Sequence, residues 1–252
     1  MALFESDAAY DKFMGRYSMR LAAPFADFAA IESGMRVADV GAGTGALAAE
    51  LVRRGAHVAA GDPSPAFVAA LRERLPAADA QLARAEELPW PDESFDAALA
   101  QLVLTFMDDA PAGVREMRRV VRHAGTVAVC MWEREGMEML AAIQRAQRAL
   151  GGGGVMPEAR TLYRSRHEIE SLFADGFADV TTELLEVDAS YDGFDEFWDA
   201  LRGGAGPAGA WAASLEAEAL TAGREEVYRQ LGEPEGAFTL RGEAWATRAR
   251  RA

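Results

Sequence analysis

Two acidic residues bracket a glycine-rich turn in the stretch VADVGAGTGALAAELVRRGAHVAAGDPSP, residues 37–65. Asp39 stands two positions before Gly41, and Asp62 closes the apolar run that begins at His57. Between them Gly41, Gly43 and Gly45 follow the pattern G-x-G-x-G and lead into the alanine-rich amphipathic stretch Ala46–Arg54. Glycines so spaced let the backbone turn tightly and approach a ligand closely. A carboxylate at the end of the second apolar run suits a ribose diol, which offers it two hydroxyl donors. Strand, glycine turn, helix, strand and terminal acid are the parts of a nucleotide-binding βαβ unit.

Such a unit works only if further elements hold its loops at one sheet edge. The N-terminal residues 1–34 read as an amphipathic helical cover with Phe4, Tyr10, Phe13, Tyr17, Phe25 and Phe28, and Gly34 punctuates the approach to a first strand over 35–40. A second strand is expected over 56–61, and Ser64 as N-cap with Pro65 at the first helical position starts the next helix. Strands near 80–85 and 96–104 follow, then a helix capped by Asp109 and stopped at Gly125, then a fifth strand, TVAVCMW. This alternation predicts an α/β fold: a doubly wound, mostly parallel sheet covered by helices on both faces. The cofactor-binding core ends near residue 132.

Residues 133–252 differ in texture. A helix is expected over Glu138–Leu150, then four consecutive glycines, Gly151–Gly154, mark a mobile loop or lid hinge. Ser165 and Glu168 form a capping box, residues 177–191 read as a strand, 194–232 as a helical insertion or cap, and 238–250 as a terminal strand. A single domain over 1–252 with a seven-stranded, Rossmann-like sheet is the expectation.

Composition narrows the partners. The formal net charge is -14 over 252 residues, which argues against a phosphate-neutralising nucleic-acid face. The one cysteine, Cys130, excludes an internal disulfide and a cysteine-rich metal site, and no metal is expected. No basic leader followed by an apolar core opens the chain, and no apolar run reaches transmembrane length. A cytoplasmic protein without membrane contact, monomeric or homodimeric, is expected.

The loop alone leaves its cofactor open. With Ala46 it also fits the dinucleotide pattern G-x-G-x-x-A, with Asp62 as the ribose acid. Three features favour a different ligand. Asp39 would repel a pyrophosphate at the helix N-terminus, whereas an acidic network can serve an ammonium. The stretch ARAEELPWPDESFDAALAQLVL couples an acidic turn after the third strand to an aspartate opening the fourth. The sheet ends in a helical insertion and a strand, with no separate substrate domain.

Taken in order, VADVGAGTG, AAGDPSP and AEELPWPDESFDAALAQLVL resemble the motifs of class I S-adenosylmethionine-dependent methyltransferases. The branch is the small-molecule, type 11 group that includes quinone-biosynthesis C-methyltransferases, and YDKFMGRYS is similar to its lead-in helix. The resemblance covers roughly two-fifths of the chain. It implies S-adenosylmethionine as cofactor, S-adenosylhomocysteine as product and a small-molecule methyl acceptor. It further implies backbone approach to the methionine portion at Gly41, Ala42 and Gly43, with Asp39 in the network near the ammonium. Asp62 would bind the ribose hydroxyls and Pro63 would lie against adenine. Ala85 and Glu86 would meet the adenine edge, and Gln101 and Leu102 would border the methionine and sulfonium. Arg84 departs from the family, which usually has an aspartate there for the adenine amino group. On the residues alone, Asp39 has a second reading as a brace for the loop, and Gln101 as an ordinary strand-end residue.

Methyl transfer from a sulfonium needs a base only when the acceptor carries a proton at working pH. His57 opens a strand, His123 is expected near a helix end and His167 follows the Ser165 cap; none earns a catalytic assignment. Thr105, Phe106, Trp132 and Glu133 follow the fourth and fifth strands. With Tyr10, Phe13, Met14, Tyr17, Phe197 and Trp198, they suggest an apolar or aromatic acceptor under a mobile cap. A non-catalytic S-adenosylmethionine-binding protein and an NAD(P)-dependent oxidoreductase are the alternatives.

Overall fold

The computed structural model describes residues 12–152, 162–203 and 206–252, so Phe4, Tyr10, Gly153 and Gly154 lie outside the described residues. Seven strands form one sheet in the order β3-β2-β1-β4-β5-β7-β6. In chain order they are β1 Arg36–Val40, β2 His57–Asp62, β3 Asp79–Leu82, β4 Phe95–Gln101, β5 Val121–Met137, β6 Phe177–Tyr191 and β7 Phe238–Arg251. Parallel ladders join β1 to β2 and β4, β2 to β3, and β4 to β5. The fold is the mostly parallel Rossmann-like α/β fold expected from the alternation. The helices of its first half are α1 Gly15–Phe28, α2 Ala46–Arg53, α3 Pro65–Arg74 and α4 Ala110–Val120.

Local chemistry explains these elements. In β1, Val37, Ala38, Asp39 and Val40 are all buried, as in a central parallel strand covered on both faces. Ser64 accepts the Phe67 N–H at 3.4 Å ahead of Pro65, and Asp109 accepts the Ala112 N–H at 2.9 Å, so both predicted caps form. β3 is shorter than expected because the chain leaves it at Ala83, whose N–H donates to the Asp62 carbonyl at 3.1 Å. β4 stops at Gln101 because Leu102 adopts a left-handed backbone with φ of 61°, followed by a 3₁₀ turn over Leu104–Phe106.

Helix α4 ends at Val120 instead of running to Gly125, which places His123 on a strand and exposes it. Val120 and Val121 are fully buried and β-branched, a pairing that favours extended backbone. The register between Phe95 and Ala97 is irregular there. A Cβ on Gly125 would lie 2.4 Å from Val121 Cγ1 and 2.7 Å from the Asp96 carbonyl oxygen. Gly125 thus serves a close strand approach, not a helix stop.

The chain divides into two compact units, each assembled from separated segments. The larger comprises Leu21–Glu133, Ala159–Leu185 and Ala244–Ala252. Its core joins Val40, Ala98, Ala100, Leu104, Val114, Met117, Val127 and Val129 around the sheet, with Ile169 and Phe173 packed in as well. Ser165 caps the short helix α6, Arg166–Glu170, by accepting the Glu168 N–H, while the Glu168 carboxylate accepts from the Ser165 hydroxyl and the Arg164 N–H.

The smaller unit comprises Met1–Arg20, Arg134–Glu158 and Glu186–Glu243. It holds α5 Glu138–Ala149, α7 Phe194–Arg202, α8 Gly206–Ser214 and α9 Ala217–Gln230, so among the described residues the expected helical insertion comprises α7, α8 and α9. Tyr191 stacks on Phe238 with ring centres 5.3 Å apart and meets Phe197 edge-on at 5.2 Å. Arg16 lies over the Tyr191 ring, donates to the Ser190 carbonyl and pairs with Glu196. Phe13, Tyr17, Phe197 and Trp198 are buried within this unit.

Candidate functional site

The parallel register sets the site. Val40 pairs with Gly61, Asp39 with Leu99 and Asp62 with Leu82. The carboxyl ends of β1, β2, β3 and β4 therefore share one edge of the larger unit. That edge collects Asp39, the glycine turn, Asp62 and Pro63, Ala85 and Glu86, and Gln101 and Leu102, the positions expected from sequence.

Within the turn, Gly41, Gly43 and Gly45 have φ of 75°, 55° and 93°, a region that favours glycine. The Gly61 carbonyl accepts the N–H groups of Gly41 and Ala42 at 2.8 and 3.0 Å. Asp62 Oδ2 accepts the Gly43 N–H at 2.9 Å and its Oδ1 the Ser64 N–H at 2.8 Å. Each oxygen keeps lone-pair capacity for a further donor. Burial raises the Asp62 pKa from its ordinary value against the opposing effect of the two N–H bonds.

Asp39 is more deeply enclosed, at 1 % exposure. Burial pushes its pKa up to about 7, opposed by a hydrogen bond from the Ala48 backbone and reinforced by the Asp62 charge. Its Oδ2 is buried without a hydrogen-bond partner. A buried carboxylate oxygen of that kind costs free energy until a donor or cation meets it.

Around these acids, Pro63 is exposed and Ala85 is buried. Glu86 Oε1 accepts the backbone N–H groups of Asp108 and Asp109 at 2.8 and 3.2 Å, tying the turn after β3 to the start of α4. Arg84 points to solvent and pairs with Asp108, with Glu86 at 3.7 Å. Gln101 and Leu102 are half-buried, and the Leu102 N–H donates to the Cys130 carbonyl at 2.9 Å, holding its left-handed backbone in place. A non-glycine residue in that conformation costs about 1–2 kcal/mol and marks a position fixed by its surroundings.

Residues 38–129 match the family model described as a methyltransferase domain. An uncharacterised methyltransferase of Mycobacterium tuberculosis strain H37Rv is 37% identical over 142 residues, covering 54% of this chain and 57% of its own length. Over residues 38–129 the chain is thus similar to a methyltransferase domain. The chain spans little more than half the length of the curated relative just named. Among solved structures, the YcgJ protein of Bacillus subtilis has a TM-score of 0.60 at 17% identity, over 94% of this chain and 99% of its own. A SAM-dependent methyltransferase of Aquifex aeolicus has a TM-score of 0.57 at 15% identity, over 94% and 93%. These two likenesses show a shared fold.

The match over residues 38–129 favours a methyltransferase over an oxidoreductase for the glycine loop. The three histidines, His57, His123 and His167, are all exposed. Among the described residues no group of three or more His, Cys, Asp or Glu side chains could hold a metal ion, and no helix is long and apolar enough to cross a membrane. Cys130 is buried, and burial pushes its thiol pKa up, as for a core residue.

Sequence reasoning missed Gly61 and Val103. Gly61 anchors the turn through its carbonyl, and a Cβ there would lie 3.1 Å from Ala83 Cβ and 3.2 Å from Trp90 Cη2. The glycine just before Asp62 was the available signal. Val103 explains Gly41 differently from ligand contact, since a Cβ on Gly41 would lie 2.4 Å from Val103 Cγ2. A Cβ on Gly43 meets nothing within 4 Å.

The two glycines should therefore separate in stability. Gly41→Ala combines backbone strain with overpacking and is expected to cost about 3 kcal/mol in urea unfolding, part of it recovered in Gly41→Ala/Val103→Ala. Gly43→Ala should cost only about 1 kcal/mol, from backbone strain alone. Equal losses at both positions would refute the assignment of Val103 as the residue that excludes a side chain at 41.

Proposed function

We propose that this protein transfers a methyl group from S-adenosylmethionine to a small apolar or aromatic metabolite, mainly by positioning and desolvation. The carrying observation is the pair of buried carboxylates beside a glycine turn: Asp62 with acceptor capacity on both oxygens, and Asp39 with an open Oδ2. Their chemistry fits a ligand with a diol at one position and an ammonium at another. The open space beyond Gly43 is room for it. When bound, S-adenosylmethionine supplies an electrophilic methyl on a sulfonium whose leaving group is a neutral thioether.

In this reading the chain's own residues bind, orient and exclude water. Asp62 takes the ribose hydroxyls, Asp39 the ammonium, and the backbone of Gly41, Ala42 and Gly43 borders the methionine portion. Pro63 lies against adenine, and Ala85 and Glu86 take the adenine edge, where Glu86 Oε1 already accepts the Asp108 and Asp109 N–H groups. Gln101 and Leu102 border the sulfonium. Half-buried Leu102 and Val103 and exposed Phe106 give the end of β4 an apolar surface, which supports an apolar acceptor. Because in-line displacement from an activated sulfonium is served by positioning, a dedicated base is not required of an acceptor already deprotonated.

Calorimetric titration with S-adenosylmethionine, S-adenosylhomocysteine and NAD(P) tests the cofactor. Saturable binding of both sulfur nucleosides and none of NAD(P) is expected, with Gly43→Ala losing at least about tenfold in affinity because its methyl enters the ligand space. NAD(P) binding without the sulfur nucleosides would sink the proposal. Labelled methyl transfer across a panel of phenols, quinols and other apolar acceptors then tests turnover; binding without transfer to any would favour a non-catalytic carrier.

A further inference from the structure

Asp39 sits where an ionised carboxylate is hard to sustain. It is enclosed at 1 % exposure, and one oxygen lacks any donor. The groups around it do not neutralise it. β2 contributes the Asp62 carboxylate, of like charge, and β5 contributes Cys130, a buried thiol electrostatically coupled to Asp39. β4 places apolar Leu99 in register with it, and α2 offers only the Ala48 N–H. Among the described residues no cation is one of the groups that perturb it. Two buried acids compensated by three backbone N–H dipoles and by no cation favour a proton on one of them.

Asp62 is the less suitable holder. Both of its oxygens already accept backbone N–H bonds, which stabilise the charged form. The open Oδ2 of Asp39 is compatible with a carboxyl O–H. An arriving ammonium reverses the balance, because an opposite charge against a desolvated carboxylate strongly favours ionisation.

We propose that Asp39 is held protonated in the ligand-free protein and gives its proton to solvent as the cofactor's ammonium reaches it, coupling cofactor capture to proton release. The step balances: the Asp39 O–H bond breaks, the proton passes to buffer, and a carboxylate–ammonium pair replaces two separate species. This inference rests on the cofactor assignment above and adds to it a pH dependence carried by one residue. With a ligand-free pKa of about 7, binding at pH 6 should release about 0.9 proton per cofactor. Affinity should fall about tenfold per pH unit below pH 6. Above about pH 8 it should fall again as the cofactor's own α-amino group loses its proton.

The test is calorimetry of S-adenosylhomocysteine at pH 6 in buffers of different ionisation enthalpy, which counts protons directly. Methylthioadenosine, which lacks the amino-acid tail, is the internal control. The expected result is near-stoichiometric release with S-adenosylhomocysteine, none with methylthioadenosine, none in Asp39→Asn, and persistence in Asp62→Asn. Release that survives in Asp39→Asn, or is absent from the unaltered protein while the nucleoside binds, overturns the coupling and leaves the cofactor assignment standing. Failure of both nucleosides to bind overturns the assignment and the coupling together. Infrared spectra of the ligand-free protein at pH 6 give a second readout: a protonated-carboxyl stretch lost in Asp39→Asn is expected, and its absence refutes the proposal without any ligand.

Discussion

Asp62→Ala is expected to weaken S-adenosylmethionine binding by about 100- to 10,000-fold, from two charge-assisted hydrogen bonds of roughly 1.5–3 kcal/mol each. The same change also releases the Gly43 and Ser64 N–H groups that Asp62 now holds at 2.9 and 2.8 Å. Ligand contact and loop support can be told apart. Asp62→Asn keeps the volume and one carbonyl oxygen, so it should retain most of the thermal stability while losing about tenfold or more in affinity. Calorimetry on both variants, with melting curves in parallel, checks this. Affinity that falls only as far as stability does would mean that Asp62 is a loop brace and touches no ligand.

Asp39→Asn should move stability and affinity in opposite directions. Asp39 has a folded-state pKa of about 7 against an ordinary 3.8, so its neutral form favours the folded state. The sign follows: native stability is fully retained below about pH 3.8 and declines as pH rises through about 7. Asparagine carries no proton to lose. The variant should therefore gain at pH 8 by up to about 4 kcal/mol relative to the parent, from a shift of about three units at 1.36 kcal/mol each, and differ little at pH 4. S-adenosylmethionine affinity at pH 7.5 should fall at least about tenfold with loss of the ion pair. Urea unfolding at the two pH values reads the first effect. A variant less stable than the parent at pH 8 would show that Asp39 is ionised and compensated, contrary to its open Oδ2.

The residues that locate the site were readable in advance because each is tied to a short-range pattern. The G-x-G-x-G turn, Asp39 and Asp62 needed only strand–turn–helix spacing, and the parallel register brings them to one edge as expected. Ser64, Asp109 and Ser165 cap their helices because a side-chain oxygen acts on backbone a few residues away. What escaped was set by partners distant in sequence. Helix α4 stops at Val120 because residues 121–125 pair beside Phe95 and Asp96, some 26 positions earlier. Gly41 is glycine because Val103 fills its side-chain space, and Glu86 Oε1 is held by the Asp108–Asp109 backbone. Helix α1 was visible in amphipathic spacing and the 194–232 region in its alanine- and glutamate-rich composition, but the separate helices α7, α8 and α9 were not. Of the aromatics expected near an acceptor, Phe197 is instead legible as core, packed against Tyr191.

The strand order has a consequence for synthesis. β7 is the last strand in the chain, yet it lies between β5 and β6. While the polypeptide emerges, β6 has no neighbour in the sheet until residues 238–251 exist. For that interval β6 is a free strand with Val180 and Leu184 available to another nascent copy, a pairing that leads to aggregation. The strand also carries Asp179, Glu183, Glu186 and Asp188 and no basic residue. Two such strands side by side bring acids together, and this repulsion guards the unfinished sheet until its missing strand arrives.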